Sequence, residues 1–107
     1  MLQRKQYMAA QAQIFKALGH PSRLLMVDAL RNGEQCVCDL RQLVGDDIST
    51  VSKHLAVLRQ AGIVEQDKRG TNIYYRLSLP CLDNFLSCTR ALLENRLASE
   101  LSILREE

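Results

Sequence analysis

Ser49-Thr50-Val51-Ser52-Lys53-His54-Leu55-Ala56-Val57-Leu58-Arg59-Gln60, stopped by Gly62, is the stretch on which the fold turns. Val51, Leu55 and Leu58 recur at helical spacing and form one inward stripe. Ser49 is placed to cap the first turn. Ser49, Thr50, Ser52, Lys53 and His54 are then left on the opposite, polar side. Beyond Gly62 the pattern changes from helical spacing to alternation. Ile63-Val64-Glu65-Gln66 and Asn72-Ile73-Tyr74-Tyr75-Arg76-Leu77 read as strands joined by Lys68-Arg69-Gly70-Thr71, with Gly70 supplying the positive φ of a hairpin tip.

Upstream, Met8, Ala12, Phe15 and Leu18 mark a helix over 7–18 that Gly19 closes. His20-Pro21-Ser22 opens a second helix with Pro21 in its first turn, an apolar set of Leu24, Leu25, Val27 and Leu30, and Asn32-Gly33 at its end. His20 reads as a cap or packing residue. A short third helix runs from about Cys38 to Val44, burying Leu40, Leu43 and Val44, before a turn at Gly45-Asp46-Asp47. Pro80 initiates a long last helix with the stripe Leu82, Phe85, Leu86, Thr89, Leu92, Leu93, Leu97, Leu101 and Leu104. That stripe is more than one small domain can cover. The expected architecture is mainly α with a small β-hairpin, in the order α-α-α-α-β-β-α. This is a winged helix-turn-helix over residues 1–107, a single domain whose last helix has apolar surface left over for a second copy.

A chain of 107 residues with 47% hydrophobic and 24% charged residues has the composition of one globular domain. No acid–base pair, nucleophile triad or phosphate-cradling glycine loop is present, so an enzyme is not expected. The net charge of +2 decides nothing by itself; the placement of the basic residues must. The polar start, Met1 to Tyr7, lacks a signal-peptide core, and no apolar run reaches bilayer length. A cytoplasmic protein without membrane contact is expected, in which four cysteines serve as ligands, redox thiols or small core residues rather than structural disulfides.

In a helix-turn-helix the second helix enters the major groove. Ser49, Thr50, Ser52, Lys53 and His54 bring hydroxyls, an ammonium and an imidazole to that position, with no carboxylate among them. Arg59 extends the set at the far end, and Lys68 and Arg69 beside Gly70 suit phosphate or minor-groove contact. The expected partner is double-stranded DNA. A solvated polar helix beside a charged turn is the plainer alternative, and His54 has the further alternatives of a buried, satisfied histidine or a metal ligand.

Leu18-Gly19-His20-Pro21-Ser22-Arg23-Leu24, the Cys36-Val37-Cys38-Asp39-Leu40 box, the helix from Ser49 to Leu58 and the wing from Arg69 to Leu77 resemble the ArsR/SmtB family of metal-sensing repressors over nearly the whole chain. The resemblance implies a homodimer, built on the first and last helices, that holds a palindromic operator when ligand-free and leaves it when a metal or metalloid binds. No cofactor is then required for DNA binding. The inducer is a thiophilic ion at Cys36 and Cys38, with As(III) or Sb(III) favoured by the softness of thiolate ligands.

Cys36 and Cys38 stand at the start of the third helix, where a helix N-terminus is expected to lower thiol pKa. Two residues apart on a regular helix they would point about 200° apart, so one ion reaches both only if that first turn is irregular. Two small packed cysteines are the alternative. Arsenic sensors of the family carry a third cysteine three residues later, where this chain has Arg41, and cadmium/lead sensors draw one from an N-terminal arm, where this chain has none. Cys81 or Cys88 would have to complete a three-sulfur site within or across protomers, or both simply pack in the dimer seam. The family's zinc site in the last helix needs histidines that this segment lacks. A thiol-redox or persulfide switch, and a winged-helix module for protein contact alone, are the competing functions.

Overall fold

The computed structural model describes residues 3–105, and the side chains of residues 3–101. The elements are α1 (Arg4–Leu18), α2 (Pro21–Leu30), β1 (Gln35–Cys36), α3 (Val37–Val44), α4 (Ile48–Gln60), β2 (Val64–Arg69), β3 (Asn72–Leu77) and α5 (Leu82–Arg105). The winged helix-turn-helix stands, with one strand more than expected. Gln35 and Cys36 pair antiparallel with Tyr75 and Tyr74, giving a three-stranded sheet in the order β1-β3-β2. Two residues are too short to show alternation, so this strand leaves no pattern in the sequence.

Local chemistry sets the helix boundaries. His20 caps α2, its Nδ1 accepting from the Ser22 N–H at 3.1 Å with Pro21 in the first turn. The cap of α4 is Asp47, not Ser49: the Asp47 carboxylate accepts from the Thr50 N–H at 3.0 Å and from the Ser49 hydroxyl at 3.2 Å. A carboxylate at a helix N-terminus also meets the favourable end of the helix dipole. The helix-turn-helix turn closes at Gly45, whose φ of +82° is the left-handed conformation that L side chains avoid. Gly70 takes φ +62° at the wing tip, as expected.

The core is the sequence stripe of α4 enclosed by its neighbours. Val51, Leu55 and Leu58 are buried with Met26, Val27 and Leu30 of α2, Leu40 of α3, and Ile63, Val64 and Tyr75 at the sheet. Several expected core residues are outside it. Leu24, Leu25 and Leu43 are exposed, and Met26 takes the α2 position facing α4. On α1 only Ala17 and Leu18 are buried, while Met8, Ala12 and Phe15 lie open.

Helix α5 begins at Leu82, two residues after Pro80. Only Leu82 and, in part, Leu86 of its stripe pack on the domain; Phe85, Leu92, Leu93, Leu97 and Leu101 are exposed, and the side chain of Leu104 is outside the described set. Its start is anchored to α2 by Arg31, which binds Asp83, Ser87 (2.8 Å) and Asp28 (3.0 Å), while Arg90 reaches Asp28 at 3.3 Å. Phe15 of α1 and Phe85 meet edge-on with centroids 5.8 Å apart. The two helices thus meet at these rings, and each carries further large apolar side chains exposed, Tyr7 and Met8 on α1 and the four leucines on α5. No helix among the described residues is long and apolar enough to cross a membrane.

Leu40→Ala is expected to destabilise the fold by about 2–5 kcal/mol, the cost of emptying a fully enclosed leucine site. Urea unfolding followed by circular dichroism would measure it, with exposed Leu43→Ala near wild type as the comparison.

Candidate nucleic-acid interface and cysteine site

Helix α4 holds its polar face outward because its other face is locked in the core. Ser49, Ser52, Lys53 and Arg59 are exposed, whereas Thr50 and His54 are partly buried. Ser49 is engaged with Asp47, so the first turn carries a carboxylate that the run from 49 to 55 does not contain. Lys53 and Arg59 form no ion pair among the described residues.

His54 departs from a freely exposed reader. Its ring packs on His20, the α2 cap, with centroids 4.3 Å apart and planes tilted by 44°. Burial lowers its pKa below 6.5, the neighbouring His20 and Arg23 lower it further, and Asp46 opposes them. The structure puts His54 between the exposed imidazole and the buried, satisfied histidine considered from sequence, and the ring joins the α2 N-terminus to α4.

In the wing, Arg69 and Lys68 differ although they are adjacent. Arg69 is clamped by both oxygens of Glu34 (2.6 and 2.9 Å) and by Asp67 (3.0 Å), and lies over the Tyr74 ring at 4.5 Å. These carboxylates raise its pKa, and Arg69 in turn lowers that of Glu34. Strand alternation puts Lys68 on the other face, exposed and without an ion pair among the described residues. The free cation of the wing is therefore Lys68, and Arg69 is held. Sequence reading missed Glu34 because the pair spans 35 residues.

Cys36 is the last residue of β1 and the N-cap of α3, with extended backbone at φ −70° and ψ 147°. Cys38 is in the first turn. The irregularity needed for two cysteines to converge is thus built in as a strand-to-helix junction, and Cys36 is near enough to act on the Cys38 thiol. The neighbouring Cys36 thiol raises the Cys38 pKa against the lowering expected from the helix N-terminus, with Arg41 opposing. Cys36 is partly buried and Cys38 exposed. Among the described residues no third histidine, cysteine or acid joins them in one protomer. Cys81, in the turn before α5, and Cys88, on its first turns, are exposed.

These features define a class: a winged helix-turn-helix regulator with a two-thiol junction behind its recognition helix. Residues 20–66 match the family model described as bacterial regulatory protein, arsR family. An uncharacterised HTH-type transcriptional regulator of Methanocaldococcus jannaschii is 46% identical over 66 residues, 60% of this chain and 74% of that protein. The arsenical resistance operon repressor of Escherichia coli is 42% identical over 67 residues, 62% of this chain and 57% of that protein. For several other curated relatives the match spans 51% to 59% of their length. A homodimeric winged helix-turn-helix DNA-binding domain of Mycobacterium bovis, described as a possible ArsR-family regulator, superposes with a TM-score of 0.78 at 28% identity, covering 91% of each chain. The chain belongs to the ArsR family of bacterial transcriptional regulators. The relatives it matches are regulators, not enzymes.

The His54 packing has a pH consequence. Its folded pKa lies below the unfolded value of 6.5, so the unfolded state takes up the proton first. Stability is expected to be complete above pH 6.5 and to fall as pH drops through that value. His54→Gln should flatten this part of a denaturation-midpoint profile between pH 7 and 5.

Proposed function

We propose that this protein is a homodimeric transcriptional repressor that occupies a palindromic DNA operator in the cytoplasm and is released by a thiophilic ion. The observation that carries it is the α4 face: Ser49, Ser52 and Lys53 stand outward over a stripe that is fully buried. Such a helix meets a groove with fixed geometry, which a merely solvated polar face does not require. Thr50, Ser52 and Lys53, with the ring of His54, are assigned to DNA, alongside Ser49, Arg59, Lys68 and Arg69. The exposed apolar surface of α1 and α5 is assigned to the second protomer. The Mycobacterium bovis homologue is a homodimer, which supports that assignment.

Cys36 and Cys38 are assigned to the inducer, with arsenite or antimonite favoured. Two adjoining thiols suit a soft ion, and the name of the Escherichia coli relative points the same way. One protomer supplies two donors, so a third comes from the partner subunit or from solvent. The ion would supply bonds that hold both sulfurs. The chain's own residues convey the change: Cys36 is paired to Tyr74 through β1, and Glu34, two residues upstream, grips Arg69. Tightening the junction therefore acts on the wing and, through α3, on the packing of α4.

Fluorescence anisotropy on an operator duplex tests DNA binding directly. Affinity should fall steeply with salt, by about 0.9 in log–log slope for each phosphate neutralised. Salt-insensitive or absent binding would leave a protein-contact module instead. Glu34→Gln/Asp67→Asn removes both carboxylates from Arg69 and should steepen that slope by about one phosphate's worth and tighten binding several-fold. Cys36→Ser/Cys38→Ser should bind DNA as wild type and lose release by arsenite under reducing conditions. Release that survives the double substitution would move the inducer site elsewhere.

A further inference from the structure

A cleft of about 370 Å³ lies between α1, α2 and the C-terminal part of α4. Its polar lining is Gln13, Lys16, Arg23 and Gln60, with Val57 and Ala61 supplying apolar surface. Two cations and two carboxamides line it, and no carboxylate does. Neither Lys16 nor Arg23 forms an ion pair among the described residues.

Arg23 is the least exposed of the four polar residues. Its Nε is sealed from solvent and has no hydrogen-bond partner. Arg31, Arg69, Arg76 and Arg90 all have carboxylate partners at the surface, so the arginine with a buried donor is one left without an acceptor. An anion in the cleft cannot reach an atom that water does not touch, so Arg23 meets one through its terminal N–H groups, with the sealed Nε–H as a nearby reporter. The guanidinium fork matches two oxygens of one anion, Lys16 adds a point charge, and the carboxamides of Gln13 and Gln60 can donate to the rest.

We propose that the α1/α2/α4 cleft is an oxyanion site that takes a phosphate-type group through Arg23 and Lys16. None of its four polar residues belongs to the set assigned to DNA above. The site stays open in a dimer built on the α1 apolar face: on a regular helix Lys16 points about 100°, and Gln13 about 200°, away from exposed Phe15. Gln60 is seven residues after Lys53, hence on the same face of α4 about two turns further along. A DNA backbone phosphate and a free phosphate are thus both in reach, and they share one chemistry. Arg23 also faces His54, whose protonated form its charge disfavours. An anion on Arg23 would relieve that and move the His54 titration upward.

The test is nuclear magnetic resonance on the full-length dimer, reading the Arg23 Nε–H, the Gln13 and Gln60 carboxamides and the His54 ring. One arm adds inorganic phosphate without DNA, so it does not depend on the repressor reading; the other adds operator duplex in phosphate-free buffer. Saturable shifts at these groups with phosphate, and a raised His54 titration midpoint, support a site for free anion. Shifts that appear only with duplex, and equally with an unrelated duplex, support a backbone phosphate in the same cleft. Arg23→Gln should weaken either response about tenfold or more, the loss of a charge-assisted fork. Lys16→Gln, on the exposed side of α1, should weaken it with the fold intact. Unmoved resonances in both arms, or shifts equal in wild type and both variants, would overturn the proposal.

Discussion

Val51, Leu55 and Leu58 buried against Met26, Val27, Leu40 and Ile63 are the constraint from which the rest follows. Each such side chain taken fully from water contributes about 1.5–3 kcal/mol, and together they leave α4 one way to sit. Because a helix has a fixed angular repeat, locking one side also determines what the other side shows. Ser49, Ser52 and Lys53 are outward because their neighbours are inward. The exposed polar face is thus a by-product of the core, and any event that loosens the core beneath α4 acts on that face without touching it.

The cysteine junction lies one step from that core. Leu40, buried in the same cluster, is two residues beyond Cys38 on α3, and Cys36 belongs at once to β1 and to the α3 cap. A strand of two residues held by its partner β3 is easily displaced, since few ladder bonds hold it. The Glu34–Arg69 clamp extends the same link to the wing tip. Cys36 is therefore linked to both elements of the candidate interface, to α4 through α3 and to the wing through β3. Placing two thiols at a change of backbone conformation also removes the angular conflict that a continuous helix would impose.

The two histidines and Arg23 make a second link, between the start of α2 and the face of α4. His20 holds the α2 cap and packs at a tilt against His54, and the charge of Arg23 is felt at the same ring. The polar network there is not a continuation of the hydrophobic core. It couples α2 to α4 through charge and ring contact, which respond to ions and pH where packing responds to volume.

The amino-acid sequence by itself determined which segments are helical, the winged helix-turn-helix order, the inward stripe of α4, the Gly70 tip and the capping role of His20. All of these rest on interactions within about four residues or on a regular period, which a linear pattern records. The tertiary structure alone decided the β1 strand, the Glu34–Arg69 clamp, the Arg31 anchor of α5 and the His20–His54 contact, since each joins residues tens of positions apart or lacks a period. It also decided which leucines are core. Leu24, Leu25 and Leu43 carry the same hydrophobicity as Leu40 and Leu58, and only the direction in which neighbouring elements lie separates buried from open. The cap of α4 is Asp47, two residues before the Ser49 that the pattern suggests, because both side chains can accept a backbone N–H and only the chain's path shows which one does.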